Sequence, residues 1–210
     1  MTKTLQRVNQ TRRASAEIWV DAAYEQLIAE GVDSIRIVPL AEKLNLSRTS
    51  FYWVFDSRDA LLEAVLERWR AKNTPNLILR TEQYAEGITE AIFNVFDCWL
   101  DTSLFDSDFE FSVRSWALQS TQVSQEIRDA DAIRIDALTR MYARFGFDAL
   151  TSDVRARTMY LTQVGYISMR PEEDLATRML RVPDYVEIFG GQPAHQKDMD
   201  RFFARHNHSR

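Results

Sequence analysis

A chain of 210 residues, 45% of them apolar, is long enough for one or two domains with a sizeable core. Its single cysteine, Cys98, excludes an internal disulfide and agrees with a reducing compartment. The net charge of −5 argues at first against a nucleic-acid partner, and no apolar run approaches the roughly 20 residues that span a bilayer.

The charge is unevenly placed. Residues 1–16 carry Lys3, Arg7, Arg12 and Arg13 without an acid, and Arg36, Lys43 and Arg48 add positive charge further on. Most of the negative excess belongs to the C-terminal two thirds, which leaves a locally basic head on an acidic body. No apolar segment follows the charged N-terminus, so no secretory signal is expected and the protein is expected in the cytoplasm.

Residues 1–12 lack apolar periodicity and read either as a basic arm on DNA or as a plain tail. A first helix is predicted over 13–30, with Ile18, Ala22 and Leu27 near one face, Trp19 and Tyr24 at its edges, and Gly31 ending it. Ile37, Leu40, Ala41 and Leu44 fall at i, i+3, i+4 and i+7, so a short second helix buries one stripe and leaves Glu42 and Lys43 wet. Pro39 fits its first turn. Next comes a sharp reversal: Asn45 tolerates a left-handed backbone, Leu46 reads as an apolar peg between helices, and Ser47 can cap the next helix.

The segment from Arg48 to Val54 is too short to be a stable helix alone. Phe51 and Phe55 anchor it, while Arg48, Thr49, Ser50, Tyr52 and Trp53 are left outside. Those are residue types that reach phosphates and base edges when a helix enters the major groove. Ser57 then caps a helix with Leu61, Leu62, Val65, Leu66 and Trp69 on one broad face, predicted to run to about Asn73 and to stop before Pro75. Thr81 is expected to open an amphipathic helix through Ile88, Ile92, Val95, Phe96 and Trp99. Further helices are predicted through Phe109 to Ala117, from about Ser124 to Phe145, from about Ser152 to Met169, from Pro171 with breaks at Pro183, Gly190, Gly191 and Pro193, and from His195 to Arg205. No strand-like alternation or internal repeat occurs. The predicted fold is all-α.

The residues from Gly31 to Leu61 resemble the DNA-binding domain of the TetR/AcrR family of bacterial transcriptional regulators. The resemblance rests on Gly31, Leu40, Ala41, Leu46, Ser47, Ser50, Phe51, Tyr52, Phe55, Ser57, Arg58, Asp59 and Leu61 in order. Arg36 departs from it, standing where a small hydroxyl residue is usual, and so does Asn45 in place of a turn glycine. Val54 occupies a position where a His or Tyr commonly meets a phosphate, leaving Trp53 to compensate. The resemblance implies a three-helix helix-turn-helix domain over 1–56 and a helical effector-binding and dimerisation domain over 57–210. It also implies a homodimer on a palindromic double-stranded DNA operator, a small-molecule effector, no membrane and no cofactor. Arg36, Ser47, Arg48, Thr49, Ser50, Tyr52 and Trp53 are then the expected DNA contacts.

Phe93, Phe96, Trp99, Phe111, Arg114 and Trp116 are candidates for the effector pocket, set against an ordinary aromatic core. An Arg–Asp pair across two helices, drawn from Arg114, Asp131 and Arg134, would be either glue or a ligand anchor. Tyr160, Leu161, Val164 and Gly165 lie in a helix apolar almost all round, which suits a partner subunit or a central core helix. His195, His206 and His208 lack metal-ligand spacing and are expected to be solvated, and Cys98 reads as a buried inert thiol. No catalytic motif appears, so an enzyme is not expected. Two competitors remain: a DNA-binding protein of this fold without an effector, and an all-α ligand carrier or enzyme with a vestigial helix-turn-helix.

Overall fold

The computed structural model describes the backbone of residues 2–207 and the side chains of 15–207. Side chains of the basic N-terminal stretch, Lys3 to Arg13, and His208 lie outside those described. Among the described residues there are ten α-helices and no strand: α1 (Thr2–Glu30), α2 (Ile37–Lys43), α3 (Arg48–Tyr52), α4 (Arg58–Glu82), α5 (Ile88–Leu100), α6 (Ser107–Ala117), α7 (Thr121–Arg144), α8 (Ala149–Met169), α9 (Leu175–Gly190) and α10 (Gln196–Arg205), with a 3-10 turn at Val32–Ser34. No helix among them is long and apolar enough to cross a membrane. Helix α1 begins well before the predicted residue 13, because no proline or glycine interrupts residues 2–30.

The chain divides into two compact units. One comprises residues 1–71 and 108–124, the other 72–107 and 125–210. In the first, α1 turns Trp19, Ala22, Ala23 and Leu27 inward while Ile18 stays exposed, one residue of rotation from the predicted face. The cause is aromatic: Trp19 meets the ring of Phe51 edge-on at 5.2 Å. Helix α6 joins this unit through Glu110, whose buried carboxylate accepts from Trp69 Nε1 at 2.7 Å and from Arg114 Nε at 3.0 Å. Tyr24 on α1 meets Phe109 of α6 edge-on at 4.9 Å.

Two predicted breaks do not occur. Helix α4 runs through Pro75 to Glu82, and α9 through Pro183 to Gly190. At Pro75 the missing N–H costs little, since both Pro75 and Ala71, whose carbonyl it would have served, are exposed to water. The neighbouring polar residues that looked like a terminator are spent elsewhere. Asn73 exchanges two hydrogen bonds with the backbone of Asp106, at 2.9 and 3.3 Å, and Asn76 donates to the Leu104 carbonyl at 2.8 Å. Thr81, expected to open a helix, instead sits buried in the last turn of α4, and Arg144 donates to its carbonyl at 2.9 Å.

In the second unit α5 is the buried helix, and α9 closes on it at Gly190: a Cβ there would lie 3.4 Å from Ile92 Cδ1. Phe202 of α10 packs on Phe93 of α5 at 4.7 Å, and a ladder of charges follows the same pair of helices: Lys197 to Glu86, Arg201 to Glu90 at 2.7 Å, and Arg205 to Asp97 at 2.9 Å. His206, expected in solvent, ends this ladder with Nε2 2.8 Å from Asp97 Oδ1 and its ring against Phe202. His195 is exposed as expected.

Candidate nucleic-acid interface

Three local devices hold α2 and α3 in the first unit. The turn between them is closed by main chain, with Asn45 N–H on the Glu42 carbonyl at 3.0 Å and Leu46 N–H on the Ala41 carbonyl at 2.8 Å. Asn45 takes φ 54° there, the left-handed conformation its sequence position called for. Because the backbone closes the turn, Leu46 is not needed as a peg and its side chain is 42% exposed. Ser47 then caps α3, its Oγ accepting the Ser50 N–H at 3.2 Å, while the Ser50 hydroxyl returns a bond to the Ser47 carbonyl. From below, Phe51 is fully buried among Trp19, Tyr52 and Phe55.

Sequence reasoning counted Arg58 in the motif without seeing its task. Its Nε donates to the Ile35 carbonyl at 2.6 Å and Nη2 to the Val32 carbonyl at 2.7 Å, so the first turn of α4 clamps the segment leading into α2. The signal was present only as an Arg directly after a helix N-cap; Ser57 Oγ does cap α4, accepting from Ala60 N–H at 3.1 Å. Arg36 precedes α2 as its N-cap residue with no side-chain cap bond, and its Nε reaches only the Asp33 carbonyl, at 3.3 Å on the exposed surface.

What this scaffold presents is a short exposed face. Arg48, Thr49, Tyr52 and Trp53 all point to solvent, Trp53 with 71% of its surface free. Leaving an indole so exposed forgoes its burial energy, so it is a poor choice for a surface with nothing to touch. Arg48 lies over the Tyr52 ring at 5.6 Å and donates to its hydroxyl at 3.3 Å, which holds the guanidinium along the helix. Val54 is half buried and offers no polar group. Lys43, expected to add charge to this face, pairs instead with Glu25 of α1 at 2.9 Å, so among the described residues the positive character rests on Arg36 and Arg48.

Residues 20–65 match the model of a family described as bacterial regulatory proteins, tetR family. The match spans the head, from within α1 into α4, and is what this chain is similar to over that segment. A crystal structure of a protein from Mesorhizobium loti MAFF303099, assigned to the TetR-family transcriptional regulators, has the same fold: TM-score 0.58, with 92% of this chain and 97% of that one covered at 12% identity. No curated protein matches the sequence.

The candidate effector residues of this chain fall in different units. Phe93, Phe96 and Trp99 lie on α5 in the second, whereas Phe111, Arg114 and Trp116 lie on α6 in the first. Within their own units the two arginines pair along their own helices: Arg114 with Glu110 at 3.0 Å, and Arg134 with Asp131 at 4.0 Å. Arg134 is fully buried and donates to Thr74 Oγ1 at 2.9 Å and to Tyr160 Oη at 3.0 Å, tying α4, α7 and α8 within the second unit. Tyr160 is thereby turned inward, its hydroxyl donating to Asp131 Oδ1 at 2.6 Å. Of its proposed companions, Leu161 is 60% exposed, Val164 and Gly165 are half exposed, and a Cβ on Gly165 would meet nothing within 4 Å. Cys98 is fully buried, and removal from water pushes its thiol up to about 12, which keeps it unreactive.

Proposed function

We propose that the chain is a homodimeric repressor that binds a palindromic DNA operator in the cytoplasm and is released by a small-molecule effector. Residues 1–56 are the DNA-binding domain in this reading, and 57–210 the effector-binding and dimerisation domain. The observation that carries it is the exposed face of α3: Arg48, Thr49, Tyr52 and Trp53 on a five-residue helix that cannot persist alone and is held by the Ser47 cap and the buried Phe51 ring. Arg and Thr at the start of such a helix read base edges, Tyr and Trp beside them fix it on sugar and phosphate, and Arg36 adds a phosphate contact.

A second copy of the chain is supported by the outer face of α8. Leu150, Val154, Leu161, Gly165 and Met169 recur at helical spacing on one stripe, the four larger ones exposed, and Leu180 and Ile188 of α9 are exposed as well. Two heads related by a twofold axis would meet half-sites about 34–36 Å apart, one turn of the duplex. An effector acts by its preference for a body conformation in which the heads are wrongly spaced, lowering operator affinity by that differential. Helix α4 passes without interruption from Arg58 in the first unit to Glu82 in the second, which suits it as the lever.

The test uses an operator selected by the protein itself and measures binding of two variants at one salt concentration. Arg48→Ala should relax discrimination at one base position by about 1–3 kcal/mol, while Tyr52→Ala should weaken all sequences alike. Unchanged operator binding in both variants would defeat the assignment.

A further inference from the structure

Five side-chain polar atoms among the described residues are buried without a hydrogen-bond partner: Thr89 Oγ1, Trp99 Nε1, Arg155 Nε, Glu173 Oε1 and Arg178 Nε. Three belong to charged groups engaged nearby, since Arg155 Nη1 donates to the Phe189 carbonyl at 2.7 Å and Arg178 Nε faces Glu173 Oε1 at 3.4 Å. The other two are different in kind. A hydroxyl and an indole N–H are the whole polar capacity of Thr89 and Trp99, which are only 1% and 6% exposed. Leaving such a group unmatched costs about 1–3 kcal/mol, so native chains rarely do it without a use.

Both orphans lie on one helix and one stripe of it. Residues 89, 92, 96 and 99 of α5 recur at i, i+3, i+7 and i+10. Gly190 of α9 packs between Ile92 and the Thr89 methyl, where its Cβ would lie 3.4 and 3.6 Å from them. Further along, Phe96 stacks on Phe189 at 6.4 Å, Phe189 on Tyr185 at 5.8 Å, and Phe96 meets Trp99 edge-on at 5.9 Å. The α5–α9 seam is thus aromatic, with a hydroxyl at one end and an N–H roughly 15 Å away along the helix axis. The Asp97 carboxylate, off that stripe of α5, is occupied by Arg205 and His206.

Resting on the ligand-responsive reading above, we propose that the effector binds along the α5–α9 seam and is an aromatic molecule bearing an uncharged oxygen acceptor, a carbonyl or ether, that receives the Trp99 Nε1–H. An indole can only donate, so its partner must accept. The other side chains on that stripe are hydrocarbon rings and branches, so an acceptor that stays uncharged is the cheapest to bury. The reading divides the candidate pocket: Phe96 and Trp99 belong to it, with Thr89 and Tyr185, which sequence reasoning did not single out.

The probes are two molecules of one shape, 2-acetylnaphthalene and 2-isopropenylnaphthalene, in which a methylene replaces the ketone oxygen. Calorimetric titration of the full chain should show the ketone bound about tenfold or more tightly, the worth of one well-made buried hydrogen bond. Trp99→Phe, which keeps a ring and removes the N–H, should bring the two affinities together. In case that variant folds poorly, the unsubstituted protein gives an independent reading. Of its five tryptophan indole N–H resonances in a proton–nitrogen correlation spectrum, one should move downfield with the ketone and stay with the alkene. Equal affinities, no binding of either probe up to its solubility, a preference that survives in Trp99→Phe, or an indole resonance already downfield and unmoved, as for an N–H held by internal water, would each overturn the proposal. No DNA enters these measurements, so loss of the repressor reading and loss of this one are separately visible.

Discussion

The edge-on contact between Trp19 of α1 and Phe51 of α3 is the floor beneath the DNA-reading face, and its worth can be isolated. The rings are 5.2 Å apart at 83°, and both are almost fully buried. Truncating Phe51 to Ala would remove about 3–5 kcal/mol, a large part of a domain's stability of about 5–15 kcal/mol, and would simply unfold the head. Leucine is the better probe, because it keeps most of the apolar volume and loses the ring geometry. Phe51→Leu should cost about 1–2 kcal/mol, less than that truncation and near the range for hydrophobic swaps. Trp19→Leu should cost more, since a larger ring is lost. If the edge-to-face arrangement contributes as such, the double variant should be less destabilised than the sum of the two by about 0.5–1.5 kcal/mol. The assay is urea unfolding followed by circular dichroism and by tryptophan fluorescence, whose coincidence checks that one transition is being measured. Additivity to within about 0.3–0.5 kcal/mol would refute the claim that ring geometry, rather than bulk burial, sets α3 in place.

Arg58→Ala should destabilise the first unit by about 2–3 kcal/mol, because two charge-assisted bonds to the Val32 and Ile35 carbonyls are lost. Lysine at the same position should recover less than half of this in chemical denaturation, since one ammonium replaces a fork that spans both carbonyls. Asp148 and Asp174 cap α8 and α9, and hydrogen bonds from Thr151 and Thr177 hold both carboxyls below their usual range. A depressed carboxyl contributes stability that is complete above its unfolded value and is lost as pH falls through its folded value. The urea midpoint should therefore drop from neutral pH towards about pH 3, and Asp148→Asn with Asp174→Asn should flatten that limb. Leu161→Glu together with Leu180→Glu should halve the mass seen by light scattering while leaving helix content intact; a mass that does not change would place the dimer contact elsewhere.

The head was legible because its conformation is set by neighbours in sequence. A left-handed Asn45, a Ser47 cap and the contacts of Phe51 with Tyr52 and Phe55 each act within a few residues, so residue type and spacing suffice for them, whereas the Trp19 contact does not show in spacing. Where partners are distant the same rules misled. Pro75 and Pro183 read as terminators because a proline's cost is local, but the bonds of Asn73 and Asn76 to the 104–106 segment lie some thirty residues away. Lys43 looked like groove charge until Glu25 of another helix took it, and His206 looked solvated until Asp97 of α5 did the same. The body's aromatic residues were visible as a group, yet nothing in their spacing indicated that α6 joins the first unit and α5 the second. The unmatched Trp99 N–H had no signal at all in the sequence, because an absent partner is a property of three-dimensional packing.

Selection of bound sequences from a random pool of double-stranded DNA by the purified protein decides whether the face of α3 reads base sequence. Enrichment of one palindromic motif, with half-sites centred about one duplex turn apart and lost when Arg48 and Tyr52 are both replaced by Ala, is the expected result. Recovery of unenriched sequences, held only by a salt-sensitive attraction that those replacements leave unchanged, would contradict it.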